Sequence, residues 1–118
     1  KHLGEMAREI VRIGDETGVD IYTIAHAGDG NLHPIVALGP GEAIHTGGPK
    51  EAMDQMFWAA HRLGGTLTGE HGVGALKTDW LVPELGDHAL GLLSAIKNAF
   101  DPRGILNPGK AIYPSIPA

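Results

Sequence analysis

Hydrophobic and polar residues alternate along the chain with two different periods. Between residues 3 and 16, apolar side chains recur every three or four positions with charged residues between them, which predicts an amphipathic helix that ends at Gly18. Runs rich in β-branched and aromatic residues at 20–25 and 32–38 predict two strands. The Asp-Gly pair at 29–30 lies between them, and both turn residues can take positive φ, so the pattern predicts a β-hairpin centred there.

Two further helices are predicted in the rest of the chain. The first starts near Pro49 and stops at the Gly-Gly pair 64–65. Its apolar stripe is Met53, Met56, Phe57, Ala60 and Leu63. A turn-rich segment through Trp80 and Pro83 then leads to a third helix at 87–100. Its inward face is predicted to be Ala89, Leu92, Leu93, Ile96 and Phe100.

The predicted fold class is α+β, with a small antiparallel sheet built around the hairpin and packed against about three helices. A length of 118 residues suits a single domain, 1–118, with one core. The chain begins at Lys1 inside an amphipathic stretch, without an initiator Met or a signal peptide, which is typical of a piece of a longer polypeptide. We therefore interpret it as a C-terminal fragment.

Charge and cysteine content exclude several functions. The formal charge is -5 and there is no cluster of Lys or Arg, so nucleic acid is not an expected partner. No apolar run is long enough to predict a transmembrane segment. The absence of cysteine excludes disulfides and thiolate sites, and it suits a cytoplasmic location. Any metal must be held by His, Asp or Glu.

Two histidines flank the predicted hairpin turn. If the turn is centred between Asp29 and Gly30, a loop of two or four residues places His26 directly opposite His33. Directly opposed residues share one face of a sheet, with Cβ atoms about 4.5–5.5 Å apart. Pro34 also favours an extended backbone at the residue before it. The two imidazoles are therefore expected to converge, the alternative being two unrelated histidines on an exposed hairpin face.

An acid and a base stand side by side in the glycine-rich segment GEHGVG at 69–74. Glu70 can complete a His, His, carboxylate set around a divalent ion that keeps a position open for substrate. His71 is expected to point away from it and can act as a general base. The alternatives are an exposed turn or a phosphate cradle, and a P-loop fails because Leu76 stands where a glycine is needed. The remaining histidines are predicted to be surface residues: His2, His45, His61 and His88.

Three segments together make the chain recognisable: HAGDGNLHP at 26–34, GTLTGEHGVG at 65–74 and FDPRGILNPGK at 100–110. In order and spacing they resemble the end of the C-terminal domain of FAD-linked oxidases. That family, within the vanillyl-alcohol oxidase superfamily, includes glycolate oxidases, D-lactate dehydrogenases and D-2-hydroxyglutarate dehydrogenases. The resemblance covers nearly the whole chain. It implies part of a ferredoxin-like cap domain whose FAD is bound mainly by an upstream domain that is absent here.

The resemblance also implies roles for individual residues. In metal-using members, two hairpin histidines and a loop glutamate bind the ion, and these correspond to His26, His33 and Glu70. The base corresponds to His71. Three further residues are placed near the flavin or substrate by the same analogy, as cofactor-binding positions: Asn31, Asn107 and Lys110. Asn-Pro-Gly is also an ordinary turn sequence, which is the alternative for the last two.

The implied enzyme is an FAD-dependent oxidoreductase that converts a small 2-hydroxy acid to a 2-oxo acid by hydride transfer to flavin. Ile35 stands where D-2-hydroxyglutarate dehydrogenases tend to carry a polar substrate contact, which favours glycolate or D-lactate. Zinc is the default ion for such a site, with iron or manganese as alternatives. Expected partners are the missing FAD-binding domain or other subunits, through which the enzyme can lie peripherally at the inner membrane.

Two other functions remain open at this point. One is a stand-alone metal-dependent hydrolase that uses the same three ligands to activate water. The other is an inactive metal-binding fragment, in which surface left by the missing part drives self-association. For the isolated chain, the inactive fragment is the expected state.

Overall fold

The computed structural model describes residues 1–112. In chain order its elements are α1 (Leu3–Thr17), β1 (Ile21–His26), β2 (Asn31–Val36), α2 (Gly47–Arg62) and α3 (Thr78–Phe100). Among these residues the only sheet is the antiparallel pair β1–β2, which together with the helices confirms the α+β class. The chain divides into two compact units, Lys1–Thr66 and Leu67 onward. The assignment of 1–118 to a single domain stays a prediction.

The first unit contains α1, the hairpin and α2. Helix α1 buries Ile10 and Ile13 and contacts α2 and both strands. It ends, as predicted, at Gly18, whose φ of 67° is the left-handed conformation that glycine takes without steric cost. Helix α2 starts at Gly47, two residues before the predicted start at Pro49. Its buried residues are Pro49, Ala52, Met53, Met56 and Ala59, so the predicted stripe is confirmed at the two methionines, while Phe57, Ala60 and Leu63 are half-buried.

Substitution of a buried residue in the core of this unit is expected to destabilise the chain. Ile13 is 0% exposed, and replacing it by alanine removes buried methyl and methylene groups and leaves a cavity. We expect Ile13→Ala to lower the free energy of unfolding of the 118-residue chain by about 2–5 kcal/mol, measured by urea titration. Val11 lies on the same helix but is 66% exposed, so Val11→Ala should change the free energy of unfolding by less than about 0.5 kcal/mol. Equal losses for the two variants would contradict this packing.

In the second unit, α3 begins nine residues earlier than predicted. The sequence predicts turns from 78 to 86, but the chain is helical from Thr78, with Pro83 inside, and Gly86 (φ 72°, ψ 165°) interrupts the helix with a kink. Trp80 and Leu81 are buried in this first part. Burial of these two side chains outweighs the turn preference of the local sequence, because tertiary packing routinely overrides intrinsic propensity.

The prediction of which side chains in the second part of α3 face inward is largely wrong. Leu92, Ile96 and Phe100 are exposed, although their spacing of four residues does place them on one face of the helix. Ala89 and Leu93 are half-buried. An amphipathic pattern identifies a face that can be buried, but the described residues do not cover this one.

The turn after α3 is held by one buried carboxylate. Asp101 accepts hydrogen bonds from the backbone N–H groups of Ile105 and Leu106 at 3.0 and 2.8 Å. The Lys97 ammonium donates to the same carboxylate and to the Leu106 carbonyl. The hydrogen bond from Lys97 is the main reason why the pKa of Asp101 lies below its ordinary value; burial opposes the shift and the two backbone donors reinforce it.

None of the described helices is both long and apolar enough to cross a membrane.

Candidate metal and catalytic site

The two hairpin histidines do not pair as predicted. His26 is opposite Asn31, and His33 is opposite Ile24, so the expected direct pairing of His26 with His33 is wrong by two positions. The reason is the turn, which takes the four residues 27–30 and is centred one residue earlier than expected. Its backbone closes through the N–H groups of Asp29 and Gly30, which donate to the His26 carbonyl at 3.4 and 3.0 Å.

The shift of two positions leaves both histidines on the same face of the sheet. Side chains alternate between faces with a period of two, so an even shift preserves the face while an odd shift would have reversed it. The two imidazole centroids lie 4.9 Å apart with the rings at 72°. His26 is exposed and His33 is half-buried. The imidazoles therefore converge, as a diagonal rather than a directly opposed pair.

Asn31 supports the turn that carries His26. Its backbone N–H donates to the Asp29 carboxylate at 3.0 Å, an Asx-type contact in which a side chain stabilises the reversal of the chain. As the partner of His26 in the register, Asn31 also shares the face that bears the two imidazoles. Its predicted contact with flavin or substrate stays a prediction.

Glu70 and His71 lie in a segment without helix or strand, in the second unit. Gly72 and Gly74, with φ of 74° and 58°, give this loop a path that residues with a Cβ rarely follow. The carboxylate oxygen Glu70 Oε1 and the imidazole nitrogen His71 Nε2 lie 3.4 Å apart, and both side chains are exposed. The expectation that His71 points away from Glu70 is therefore wrong. The carboxylate can orient the imidazole and favour a proton on Nε2, as the third member of a catalytic triad does.

Two hydrogen bonds tie the ends of this loop to other residues of the second unit. The N–H of Leu67, a buried residue, donates to Glu84 Oε2 at 2.8 Å, and the Gly74 carbonyl accepts from the Ala111 N–H at 2.6 Å. Between these ties, Thr68 has a buried hydroxyl with no hydrogen-bond partner among the described residues. The role of Glu84 has no signal in the sequence, because a single glutamate within a helix is not a motif.

The segment with Asn107 and Lys110 adjoins the loop through the Ala111 hydrogen bond. Asn107 has a φ of 50° and Ala111 a φ of 57°, and both residues therefore occupy the left-handed region. Asparagine tolerates that region well, which fits the turn role considered as the alternative for Asn107. Lys110 is exposed, and its carbonyl accepts from the Ile112 N–H. The predicted cofactor-binding roles of Asn107 and Lys110 stay predictions.

Lys77 lies between this loop and α3 and is half-buried. Partial burial lowers the pKa of its ammonium group, because the charged form loses hydration. Its backbone N–H donates to the Val73 carbonyl at 3.2 Å, which closes the turn between the loop and α3.

A comparison with known families shows which family the chain belongs to. The family model described as "FAD linked oxidases, C-terminal domain" matches residues 1–111. The chain belongs to this family. The resemblance seen in the three sequence segments is thereby confirmed.

Individual relatives of this FAD-linked oxidase C-terminal domain agree with the match. This chain is 41% identical over 108 residues to the glycolate oxidase subunit GlcD of Bacillus subtilis (strain 168), and the match covers 92% of this chain and 23% of the relative. It is 37% identical over 115 residues to a mitochondrial D-lactate dehydrogenase [cytochrome] of Arabidopsis thaliana, covering 98% and 20%. It is 38% identical over 112 residues to a D-lactate dehydrogenase of Archaeoglobus fulgidus, covering 93% and 24%. The chain thus spans less than a quarter of the length of these curated relatives.

The hairpin of this FAD-linked oxidase domain has donors that fit a divalent metal ion. Nitrogen ligands lie about 2.0–2.1 Å from a zinc ion, so two imidazoles on one ion must bring one nitrogen each to within a few ångströms of the other. The ring centroids of His26 and His33 lie 4.9 Å apart, and one nitrogen of each ring lies within 4.8 Å of the other. Imidazole nitrogen also suits zinc, iron and other transition metals better than magnesium or calcium.

Proposed function

We propose that the chain is the metal- and substrate-binding C-terminal part of an FAD-dependent 2-hydroxyacid dehydrogenase of the glycolate or D-lactate type. The observation that carries the proposal is the convergence of His26 and His33 on one sheet face, in a chain whose relatives are named glycolate oxidase and D-lactate dehydrogenase. Because the chain spans less than a quarter of those relatives, the FAD is held mainly by another domain or subunit.

The proposed ligands of a divalent ion are His26, His33 and Glu70. Two neutral imidazoles and one carboxylate leave a coordination position for substrate, as catalytic metal sites do. Zinc is the proposed ion, with iron and manganese as alternatives. When bound, such an ion stabilises the alkoxide form of the substrate 2-hydroxyl and so lowers its pKa. Glu70 has two carboxylate oxygens, so one can contact His71 while the other binds the ion.

His71 is the proposed general base. Its imidazole accepts the proton of the 2-hydroxyl, and the electron pair left on that oxygen forms the carbonyl double bond as the C2 hydrogen leaves with its own pair as a hydride. The flavin, when bound, supplies the acceptor for that hydride. The glutamate contact at 3.4 Å stabilises the imidazolium that results, and the ties at Leu67 and Gly74 hold the base in place. Asn31, Asn107 and Lys110 are proposed to line the flavin or substrate side of the site.

The direct test uses the full-length protein that contains this chain, loaded with FAD. Anaerobic addition of glycolate or D-lactate is expected to reduce the flavin, seen as loss of its oxidised absorbance, and to form one equivalent of glyoxylate or pyruvate per flavin. Dithionite serves as the positive control for reducibility. Flavin that dithionite reduces but no 2-hydroxy acid reduces would overturn the proposal. Metal-dependent ester hydrolysis by the 118-residue chain alone would instead favour the alternative function, a stand-alone metal-dependent hydrolase.

A further inference from the structure

An ion pair between Lys97 and Asp101 is built into the end of α3. The Asp101 side chain is 3% exposed, and buried carboxylates are rare in proteins unless other groups of the protein satisfy them. Three donors satisfy this one: the Lys97 ammonium and the backbone N–H groups of Ile105 and Leu106. The two N–H groups bind different carboxylate oxygens. A single side chain therefore fixes two successive peptide groups of the turn.

The same residues fix the direction in which the chain leaves this turn. The Asp101 carbonyl accepts the Gly104 N–H at 3.0 Å, and Pro102 suits the second position of the resulting β-turn because its ring holds φ near -65°. The Lys97 ammonium also donates to the Leu106 carbonyl at 2.7 Å. Because a buried ion pair is weak evidence of stability, we attribute its main effect here to the path that it imposes on the chain after Leu106.

The segment after this turn reaches the loop that carries Glu70 and His71. Ala111, five residues after Leu106, donates its N–H to the Gly74 carbonyl at 2.6 Å. Ala111 has a φ of 57°, a conformation that residues with a Cβ rarely take and that persists only where the surrounding structure imposes it. Since Gly74 is three residues after His71, this hydrogen bond fixes the C-terminal end of the loop that bears the proposed base.

We propose that Asp101 is a positioning residue for the general base His71, with Lys97 as its partner. This inference rests on the proposed function and deepens it. Asp101 acts through the turn and through the hydrogen bond from Ala111 to Gly74, and not by touching the substrate. With the carboxylate in place, the end of the loop has one position, and His71 keeps its distance from the substrate 2-hydroxyl. A displacement of about 1 Å at the reacting atoms can lower a rate about 100-fold.

Asp101→Asn tests the carboxylate with the smallest change in shape. The amide keeps an oxygen for the Ile105 N–H, but its NH2 group, a donor, replaces the oxygen that accepts from Leu106 and Lys97. In the FAD-loaded full-length protein, we expect the rate constant for anaerobic flavin reduction at saturating 2-hydroxy acid to fall about 10- to 100-fold. The FAD content should match that of the wild type. Arg103 is exposed in the same turn, so Arg103→Ala is the matched control and should retain the wild-type rate constant.

A double-variant cycle with His71→Ala separates positioning of the base from general support of the fold. Residues that act through one group have effects that are not additive. Asp101→Asn should therefore change the residual rate constant of His71→Ala by less than about 2-fold, although it lowers that of the wild type. A carboxylate that only supports the fold would lower both rate constants by the same factor. Equal losses in the two backgrounds, or a wild-type rate constant in Asp101→Asn, would overturn the inference.

Lys97→Met allows the same cycle if Asp101→Asn does not retain FAD. Methionine removes the ammonium group, while Asp101 keeps its two backbone donors, so the rate constant should fall by less than about 10-fold. That loss should again be absent in the His71→Ala background, and an equal loss there would overturn the inference. Failure of the proposed function is distinct, because the flavin of the wild type would then not be reduced by any 2-hydroxy acid.

Discussion

Replacing His71 by alanine in the full-length, FAD-loaded protein is expected to lower kcat for the preferred 2-hydroxy acid by about 100- to 10,000-fold. That range is the usual contribution of a positioned general base. The imidazole contacts a carboxylate that can stabilise its protonated form, and it lies in a loop tied at both ends. Steady-state assays with each 2-hydroxy acid give the measurement, and the FAD and metal contents of the variant should match those of the wild type.

Three further observations separate a base from a structural residue. The acid limb of the pH–kcat profile, which reports protonation of the base, should disappear in His71→Ala. Added imidazole should restore part of the turnover. His45 is exposed and lies in a loop of the other unit, so His45→Ala is the matched control and should retain wild-type kcat. Near-normal turnover of His71→Ala would remove His71 from the mechanism.

Replacing His26 by alanine is expected to weaken divalent-metal binding by at least about 100-fold. Loss of a residue that only orients a ligand already reduces metal affinity 10- to 100-fold, and loss of a ligand should exceed that. Elemental analysis and competitive chelator titration of the purified 118-residue chain and of the full-length protein give the measurement. His33→Ala should have a similar effect, because the two imidazoles lie 4.9 Å apart and are proposed to share one ion.

The controls for the metal prediction come from the same hairpin and from elsewhere in the chain. His45→Ala should bind metal as the wild type does. The double variant of His26 and His33 should lose little beyond either single variant, since interactions that act through one ion are not additive. Full metal content in His26→Ala would show that the convergence of the imidazoles serves another purpose, and a loss that also occurs in His45→Ala would point to nonspecific binding.

Part of the site could be predicted from local sequence. The turn chemistry of Asp29 and Gly30 requires a chain reversal between two strands, and the period of two then decides which residues share a face. His26 and His33 share a face for any loop with an even number of residues, so their convergence survives the error in register. The glycines around Glu70 and His71 likewise indicate an irregular loop, because glycine weakens both helices and strands.

Other parts of the site could not be predicted because they depend on contacts between distant residues. The tie from Leu67 to Glu84 joins residues 17 apart, and the tie from Gly74 to Ala111 joins residues 37 apart. Neither contact has a periodic pattern. The contact between Glu70 and His71 depends on side-chain torsion angles, which neighbouring positions in the chain do not decide.

The sequence by itself determined the element types, the α+β class and the face on which the two histidines lie, because these follow from periods of 3.6 and 2 and from the conformations open to glycine. The tertiary structure alone decided the four-residue turn, the start of α3 at Thr78, the exposure of Leu92 and Ile96, and the apolar neighbours of His33. The physical reason is the range of the interactions: local patterns fix what a segment can form, whereas register, burial and side-chain contacts minimise the free energy of many segments at once.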